Sequence, residues 1–288
     1  MSLQDICNIE STIAFIEEHL DGKLDLHRVA EAMHYSKYHL HRMFTETTGM
    51  TIHDYVVRRR MTEAAKLLVF SEKSILDISM SCGYESRQAF TAAFKAMYKQ
   101  PPAEFRERQE FYPLQLRFAL QKDIGALEFE KSDIRFAVQA DIPAWMELVR
   151  LVVDGYPHLE EGEYIQKLTE YIARKEALIL KDKDSAAGVL AFSYKTGSIE
   201  FLGIHPQFRR KGLAKLFLDK LMEEILPGKA VSMTTYRAGD RADTGYRRLL
   251  KELGFAEREL LMEFGYPTQR FVLSPENERE DGGERKTE

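Results

Sequence analysis

The amino-acid sequence predicts two domains of different class, an all-α domain over residues 1–110 followed by an α/β domain over residues 133–274. Three observations predict this division. An internal repeat with helical periodicity fills the first hundred residues. Beyond residue 133 the pattern changes to short apolar runs that alternate with amphipathic helices. A chain of 288 residues is also long enough for two ordinary cores. Residues 111–132 carry alternating apolar side chains and are interpreted as a linker, with a docking strand as the alternative.

Composition restricts the setting in which the chain works. It contains no run of 18 apolar residues, and its first ten residues lack the basic flank and apolar stretch of a secretion signal. Two cysteines, Cys7 and Cys82, are too few for a disulfide framework and have no metal-ligand spacing. We therefore expect a cytoplasmic protein without a membrane segment or a metal. The charged tail from Pro275 to residue 288 has no periodicity, which predicts disorder.

Charge is distributed unevenly along the chain, although its formal net value is only −5. Residues 1–33 contain two Lys and Arg against seven Asp and Glu. Residues 34–110 contain twelve against nine, and positions 58–60 are three consecutive arginines. The sequence thus predicts an acidic first helix, followed by a mildly basic surface between His34 and Arg108.

The internal repeat predicts the architecture of the first domain. When the sequence is aligned with itself at an offset of 50 residues, a serine aligns with a serine and large apolar residues align with each other. The aligned pairs are Ser36 and Ser86, Leu40 and Phe90, Phe44 and Phe94, and Tyr55 and Phe105. Each copy has a short helix, a turn and a second helix that begins after an N-cap serine. The copies, over about 26–47 and 75–98, are joined by a stretch with helical periodicity and no breaker. This pattern predicts two helix-turn-helix units on one connecting helix.

Polar and aromatic residues recur at helical spacing on the second helix of each copy, opposite the apolar stripe. They are Lys37, Tyr38, His41, Arg42 and Thr45 in the first copy and Arg87, Gln88, Thr91 and Lys95 in the second. Arginine offers paired donors to guanine, glutamine can bridge adenine, and threonine or aromatic groups contact the thymine methyl. Such positions on an ordinary helix are simply solvated, but the duplication favours DNA recognition.

The stretch SKYHLHRMFTETTGMTIHDYVVRRRMTEAAKLL, followed by SILDISMSCGYESRQAFTAAFKAMYKQPPAEFR, resembles the DNA-binding domain of AraC/XylS regulators, in particular the small stress and multidrug-response activators. The resemblance covers roughly residues 8–108. It implies that helices around 37–45 and 86–97 enter successive major grooves of double-stranded DNA. It assigns base contacts to Tyr38, His41, Arg42, Arg87 and Gln88, and it admits RNA polymerase as a partner.

Two positions depart from the AraC/XylS pattern. Ala92 stands where the small activators often have an arginine, which implies one contact fewer. Lys99 stands where many members have a glycine that ends the helix, so the sequence leaves the geometry of this C-cap open.

The α/β part can be divided into elements from its periodicity, its prolines and its glycines. Strands are predicted at Ile134–Val138, Ala177–Leu180, Gly188–Tyr194, Ser198–Ile204, Val231–Tyr236, Glu259–Phe264 and Phe271–Leu273. Helices are predicted from Pro143 to about Val153, Glu163 to Arg174, Gly212 to Leu226 and Thr244 to Leu253, with a loop over Gly155–His158.

The junction IEFLGIHPQFRRKGLAKLFLDKL carries the chemistry of this domain. A buried strand ends at Pro206, and the next helix begins near Gly212, where free backbone N–H groups and the helix dipole suit a pyrophosphate. The junction is neither a Walker loop nor a GxGxxG motif. It resembles the acetyl-CoA signature R/Q-x-x-G-x-G/A of the GNAT acyltransferase superfamily, and LGF at 253–255 adds to the resemblance.

The GNAT resemblance implies an acetyl-CoA-dependent N-acetyltransferase that acts on a small amine or on a protein lysine. The residues expected to bind the cofactor are Leu202, Ile204, Arg209, Arg210, Lys211, Gly212, Leu213 and Ala214. The family builds its acceptor pocket in the region that holds Trp145, Tyr156, His158 and Tyr164. Each of these four side chains is equally explained by packing or by a surface position.

Two residues are candidates for proton transfer. Glu200 is the lone charge in an apolar strand, so we expect burial to raise its pKa and make it a base; the alternative is a carboxylate satisfied by a hydrogen bond at a strand edge. In GNAT enzymes a tyrosine four residues before the glycine of the LGF element often protonates the leaving thiolate. Leu250 stands there, and Tyr246 lies one turn earlier on the same helical face.

Three functional hypotheses follow from these observations. In the first, one chain binds DNA, regulates transcription and acetylates an amine. In the second, the GNAT domain is a weak catalyst and serves as a sensor of an acyl-CoA or an amine. In the third, the chain is primarily an acetyltransferase that the DNA-binding module localises.

Overall fold

The computed structural model describes residues 3–22, 24–120, 129–152, 161–263 and 266–275. These residues form two compact units, one made mostly of residues before 129 and the other mostly of later residues. The predicted loop at Gly155–His158 and residues 276–288 of the predicted tail lie outside the described ranges. Among the described residues, no helix is both long enough and apolar enough to cross a membrane.

The first unit is built from helices, as the repeat predicts. They are α1 (Leu3–Glu18), α2 (Leu26–Ala32), α3 (Lys37–Thr48), α4 (Ile52–Phe70), α5 (Ile75–Ser81), α6 (Arg87–Tyr98) and α7 (Pro102–Arg108). Side-chain caps start five of them, since Asp25, Ser36, Thr51, Ser74 and Ser86 each accept a hydrogen bond from a backbone N–H three residues later. The caps account for the positions at which the helices begin.

Each copy of the repeat has its own hydrophobic core. The first-copy core includes Leu40, Phe44 and Tyr55, and the second-copy core includes Phe90 and Phe94. The connecting helix α4 contributes its first half to the first core and its second half to the second. In the second core the phenyl rings of Phe90 and Phe94 lie 5.6 Å apart, as is typical of aromatic pairs.

The second core also covers Cys82, whose side chain is 3% exposed. Its Sγ donates to the backbone oxygen of Arg60 at 3.6 Å, and burial raises the pKa of the thiol to about 11. Cys82 is therefore a packed, protonated core residue.

Residues 114–120 pack on the helices of the first unit, but not as the strand that the second alternative requires. Leu114 belongs to the second-copy core, and Phe118 and Leu120 belong to the first-copy core. Leu116, which shares their alternation, is exposed. The segment contains neither helix nor strand.

The second unit contains strands and helices in the order that the sequence predicts. They are β1 (Arg135–Phe136), α8 (Ile142–Val152), α9 (Glu161–Ala173), β2 (Ala177–Asp182), β3 (Ser185–Phe192), β4 (Ile199–Ile204), α10 (Leu213–Asp219), β5 (Val231–Tyr236), α11 (Tyr246–Glu252), β6 (Ala256–Glu263) and β7 (Tyr266–Leu273). The first strand is shorter than predicted and the last is longer. Helix α10 continues as a π-helical segment over Lys220–Ile225.

The strands form two antiparallel sheets, with the orders β1-β2-β3-β4 and β5-β7-β6. Strands β4 and β5 are joined by a single parallel bridge between Ser198 and Ser232, where the N–H of Ser232 donates to the oxygen of Gly197 at 3.0 Å. Beyond that bridge the described part of the chain contains no pairing between them. The two strands therefore diverge and leave an open edge on each.

A β-bulge interrupts β4 close to this bridge. Phe201 pairs with Ala191, whereas the next residue of β3, Phe192, pairs with Ile199. Glu200 is thus the extra residue of the bulge and falls outside the regular alternation of side chains.

Gly188 of β3 lets α10 approach the sheet closely. A Cβ atom at this position would lie 2.6 Å from Cε2 of Phe217 on α10 and 3.1 Å from Cδ1 of Ile204 on β4. Any larger side chain would push α10 away from the end of β4, so the glycine positions this helix.

Candidate functional site

The helix α3 presents the first group of predicted DNA-contacting residues. Lys37, Tyr38, His41 and Arg42 are exposed, and Tyr38 keeps 77% of its surface. Thr45 is half-buried, and its hydroxyl donates to the backbone oxygen of His41 at 2.7 Å. On the opposite face, Leu40, Met43 and Phe44 are buried. The helix ends at Gly49, whose φ of 73° is left-handed and whose N–H donates to Thr45.

The helix α6 repeats this arrangement with different side chains. Arg87, Gln88 and Lys95 are exposed, and Thr91 is half-buried. Ala92, which stands at the position of a missing arginine, is exposed as well.

The end of α6 shows that Lys99 adopts the geometry of a glycine cap. Its φ is 62°, and its N–H donates to the oxygen of Lys95, as the N–H of Gly49 does to Thr45. The Nζ atom of Lys99 donates to the oxygen of Ala96 at 2.7 Å. The residue type differs from the family pattern while the C-cap conformation is kept, at the cost of backbone strain.

Two of the three consecutive arginines that were counted toward a basic surface between His34 and Arg108 do not lie on the surface. Arg58 and Arg59 are 2% and 7% exposed. Arg59 binds Glu17 of α1 through both Nε and Nη2 at 2.8 Å, and Glu63 through Nη2 at 2.9 Å. Arg60, which is half-buried, donates to the backbone oxygens of residues 20 and 22. These guanidinium groups hold the acidic α1 and neighbouring backbone in place, so a charge count could not separate them from DNA-facing arginines.

The predicted cofactor turn connects β4 to α10. The chain leaves β4 through a tight turn in which the N–H of Phe208 donates to His205 at 2.8 Å and the N–H of Lys211 donates to Phe208 at 3.0 Å. Arg210 and Lys211 are exposed and Arg209 is half-buried. Leu202, Ile204, Leu213 and Ala214 are buried and pack the two elements that flank the turn.

Position 212 of this turn has a backbone conformation that favours glycine. Its φ of 77° is left-handed, and a Cβ placed on it would meet no atom within 4 Å. It precedes the first turn of α10, in which Leu216 is the first residue whose N–H reaches back to Gly212. The N–H groups before Leu216 have no acceptor within the helix, as at any helix N-terminus.

His205 stabilises the turn as a neutral imidazole. It is 5% exposed, and its Nδ1 accepts a hydrogen bond from the N–H of Gln207 at 3.4 Å. Burial, with a further contribution from the charge of Arg209, lowers the pKa of His205 to about 4. The neutral ring can therefore accept this bond throughout the physiological pH range.

Glu200 is exposed, so its expected burial is wrong. The reason is the bulge, which takes its side chain out of the apolar face of β4. The hydroxyl of Ser198 donates to its Oε1. Tyr171 of α9 lies near enough that its pKa is raised, first by its own burial and then by the charge of Glu200. The carboxylate thus accepts a hydrogen bond from a hydroxyl at the start of the divergence between β4 and β5.

Tyr246 lies at the first turn of α11 and contacts the open edge of β4. Its hydroxyl donates to the backbone oxygen of Leu202 at 2.6 Å. Leu250, one turn later, is completely buried. The phenol is thus brought to the strand that carries Glu200, and the residue at the usual tyrosine position belongs to the core.

Trp145 and Tyr164 contact each other in the region predicted for the acceptor. The indole Nε1 of Trp145 donates to the Tyr164 hydroxyl at 3.1 Å, and Trp145 is completely buried, which makes it a packing residue. Burial raises the pKa of Tyr164 to about 12. Its ring packs edge-on against Phe201, next to Glu200. Tyr156 and His158 lie outside the described residues.

The sequence did not indicate two residues that position Tyr246. The Asp243 carboxylate accepts hydrogen bonds from the N–H groups of Gly245 and Tyr246 at 3.0 and 2.8 Å. Arg247 is 7% exposed and donates to the oxygen of Tyr236 at 2.7 Å and to Oε1 of Gln269 at 2.8 Å. An aspartate two residues before a glycine is a turn signal that could have been read from the sequence. The burial of Arg247 could not.

Two family models match the chain. One is described as a helix-turn-helix domain and matches residues 29–108; the other is described as an acetyltransferase (GNAT) domain and matches residues 159–263. A solved acetyltransferase of the GNAT family from Bacillus cereus ATCC 10987 is 14% identical, with a TM-score of 0.39, over 49% of this chain and 95% of its own. The predicted fold class, an all-α helix-turn-helix domain followed by an α/β GNAT domain, is confirmed.

Curated relatives match the first half. The chain is 41% identical over 108 residues to the regulatory protein SoxS of Escherichia coli K12, a match that covers 99% of SoxS and 38% of this chain. It is 36% identical over 135 residues to the right origin-binding protein of the same strain, a match that covers 47% of this chain. The chain spans 45% of the length of that second relative. This chain belongs to the AraC-type helix-turn-helix transcription regulators and carries, in addition, an acetyltransferase domain of the GNAT family.

Proposed function

We propose that this DNA-binding regulator also transfers the acetyl group of acetyl-CoA to an amine, either a small molecule or a protein lysine. The observation that carries the proposal is the divergence of β4 from β5 beside the Gly212 turn. A strand with an open edge can bind the amide groups of an extended ligand by backbone hydrogen bonds. A helix N-terminus at the end of the same strand can bind its phosphates.

The residues of the turn fit a pyrophosphate. A Cβ on Gly212 would meet no atom within 4 Å, and the first turn of α10, which follows it, offers N–H groups without an acceptor in the helix. Arg210 and Lys211 add two exposed positive charges. An anion there gains both from these charges and from the helix dipole. Bound acetyl-CoA would supply the activated thioester.

The proton transfers fall to two side chains. An amine attacks only when neutral, and the Glu200 carboxylate is placed at the bulge of β4 where it can accept the ammonium proton directly or through water. The hydrogen bond from Ser198 holds that carboxylate in position. The hydroxyl of Tyr246, now on the oxygen of Leu202, is the proton donor available to the departing thiolate at this edge. Positioned proton transfer contributes about 10²–10⁴-fold in rate.

A second candidate function is that of an acyl-CoA sensor, and the environment of residues 246 and 250 favours it. Leu250 cannot donate a proton, and its complete burial shows that the position is a core position. The Tyr246 hydroxyl already donates to Leu202, so protonation of a thiolate requires that bond to break. In a sensor, ligand binding without turnover would adjust the affinity for DNA.

Calorimetry with acetyl-CoA on the full chain tests the binding site. Gly212→Asp places a carboxylate and a strained left-handed residue against the proposed pyrophosphate, so binding should be lost. Gly228→Asp is the matched control, since Gly228 also has a left-handed φ, 71°, and a Cβ placed on it would meet no atom within 4 Å. Equal affinity of wild type and Gly212→Asp would remove the cofactor assignment.

A screen of amines, with thiol release as the readout, separates the enzyme from the sensor. As an enzyme, the wild type should release thiol faster than the buffer blank, and Glu200→Gln and Tyr246→Phe should each lower kcat by about 10-fold or more. As a sensor, the protein should bind acetyl-CoA in calorimetry, match the blank with every amine, and change its affinity for DNA when acetyl-CoA is added.

A further inference from the structure

Residues Leu114–Leu120, which we name the staple, lie along α4 without forming a helix or a strand. Four of its seven side chains are buried: Leu114, Gln115, Phe118 and Leu120 are 1%, 5%, 4% and 9% exposed. A buried segment without helix or strand must find partners for its backbone polar groups elsewhere. The staple finds them on the side chains of α4.

One threonine and two arginines supply these partners. Oγ1 of Thr62 accepts hydrogen bonds from the N–H groups of Leu114 and Gln115 at 3.0 and 3.1 Å and donates to the oxygen of Arg58. Arg58 donates through Nη2 to the oxygen of Leu114 at 3.1 Å, and Arg59 through Nη1 to the oxygen of Gln115 at 3.0 Å. Both residues are thus held through their N–H and their C=O groups in a buried environment, where hydrogen bonds are strongest.

The staple connects the two cores of the duplicated domain. Leu114 packs in the second-copy core, whereas Phe118 and Leu120 pack in the first-copy core. The ring of Phe118 is stacked on Tyr55 of α4, with 5.1 Å between ring centroids and 16° between ring planes. The five residues from Leu114 to Phe118 thus extend from one core to the other on the surface of the connecting helix.

We propose that the staple fixes the separation and angle of α3 and α6, and that it thereby makes the protein selective for the spacing between the two halves of its DNA site. The proposal rests on the DNA-binding role of the family. Each reading helix is anchored in its own core, and the 19-residue α4 links the cores. Long helices bend, so a single connecting helix leaves the angle between the cores adjustable. A second, hydrogen-bonded connection alongside α4 removes that freedom. The staple begins beyond residue 108, where the helix-turn-helix family model ends.

DNA geometry makes this selectivity measurable. Insertion of one base pair between the half-sites rotates one by about 34° and moves it by about 3.4 Å relative to the other. A protein with rigidly related reading helices then loses a base contact, which corresponds to about 10-fold or more in affinity. A protein whose cores can rotate relative to each other recovers part of that loss.

The test uses the full chain and a duplex that the wild type selects from a random-sequence library, together with derivatives that carry one base pair inserted or deleted between the half-sites. The half-sites are located by the base positions at which Arg42→Ala and Arg87→Ala relax preference. For each protein the ratio of Kd for altered and selected duplex is measured on one preparation, so that any inactive fraction cancels. Thr62→Val and Phe118→Ala are the variants, and Leu116→Ala, an exposed position 38% accessible in the same segment, is the control.

We expect a ratio of about 10 or more for wild type and Leu116→Ala, and a ratio lowered at least about 3-fold in both variants. If Thr62→Val or Phe118→Ala fails to fold, Phe118→Leu, which keeps an apolar side chain, replaces it. Ratios in the variants equal to that of the wild type, or a wild type that tolerates the insertion, overturn the proposal. Failure of the library to yield any selected duplex would instead contradict DNA recognition itself.

Discussion

The two copies of the helix-turn-helix repeat share their geometry and differ in their surface. Ser36 and Ser86 cap α3 and α6, and left-handed residues end both helices at positions 49 and 99. The positions predicted to contact DNA, by contrast, share no residue between the copies: at the 50-residue offset, Lys37, Tyr38, His41, Arg42 and Thr45 correspond to Arg87, Gln88, Thr91, Ala92 and Lys95. The duplicated scaffold is therefore kept while its recognition surface has diverged. We expect the chain to recognise an asymmetric DNA site, in which each half has its own sequence.

Removal of a core ring should give the largest effect and tests whether the two cores are equivalent. Phe44 and Phe94 are completely buried, so Phe44→Ala and Phe94→Ala should each lower the free energy of unfolding by about 3–5 kcal/mol. The larger loss should come from Phe94, which also contacts the rings of Tyr98 and Phe105. Urea unfolding followed by circular dichroism measures both. Phe70→Ala, at a position 68% exposed, is the control and should change little. A larger loss at Phe44 would contradict the ranking.

Replacement of the arginines predicted to contact bases, Arg42 and Arg87, should show which half of the DNA site each helix recognises. Arg42→Ala and Arg87→Ala should each cost about 1–3 kcal/mol of binding free energy, because each loses a paired contact to a base edge. Preference should relax at one base position for each variant, and the two positions should lie in different halves of the site. Repeated selection of DNA sites with each variant measures this. Arg248→Ala, an exposed arginine on α11, controls for the loss of charge alone. Relaxation at the same base in both variants would contradict the assignment of one half-site to each helix.

Removal of the N-cap serine should lower stability by a similar amount in the two copies, since both serines belong to the shared scaffold. Ser36→Ala and Ser86→Ala each remove the acceptor for a backbone N–H, at 3.2 and 3.1 Å respectively, and should lower stability by about 1 kcal/mol. Ser36→Asn and Ser86→Asn retain a cap acceptor and should stay within a few tenths of a kcal/mol of the wild type. Thermal unfolding of the four variants gives the comparison. An alanine variant as stable as its asparagine counterpart would show that the cap hydrogen bond contributes nothing there.

The smallest change in stability is expected at the C-cap, where the first copy has Gly49 and the second has Lys99 in the same left-handed conformation. Lys99→Gly relieves a left-handed lysine, although it also removes the hydrogen bond from Nζ to Ala96 and adds freedom to the unfolded chain. We expect a net gain in stability of about 0.5–1 kcal/mol. Lys99→Ala keeps the strain and serves as the matched variant without the long side chain. A loss of stability in Lys99→Gly would show that the contacts of the lysine outweigh its strain.

Periodicity and capping residues were sufficient to predict most elements of the fold. The apolar stripe of α3 and the serine before it identify both the buried face and the first residue of that helix. Local signals of this kind act within one turn, so they can be read from a single sequence. The Gly212 turn is similar, because its left-handed φ requires the glycine that the sequence shows.

Features that depend on contacts distant in sequence could not be predicted. Arg59 appears basic and exposed until Glu17 and the backbone of Gln115 are placed beside it. Glu200 appears buried until the pairing of β3 with β4 shows the bulge. Tyr246 and Leu202 are 44 residues apart, and only the fold brings the hydroxyl of one to the carbonyl of the other.

The burial of Cys82 determines how the second helix-turn-helix copy responds to oxidants. Oxidation to a sulfenic acid or a mixed disulfide begins from an accessible thiolate. With its pKa raised to about 11 and its side chain 3% exposed, this sulfur is almost entirely in the thiol form at neutral pH and is shielded from reagents. Peroxide or glutathione disulfide should therefore leave Cys82 unmodified in the folded protein. Modification of Cys82 would therefore require that the second core opens first. The rate at which a thiol reagent labels this cysteine should then measure how often that half of the DNA-binding domain unfolds.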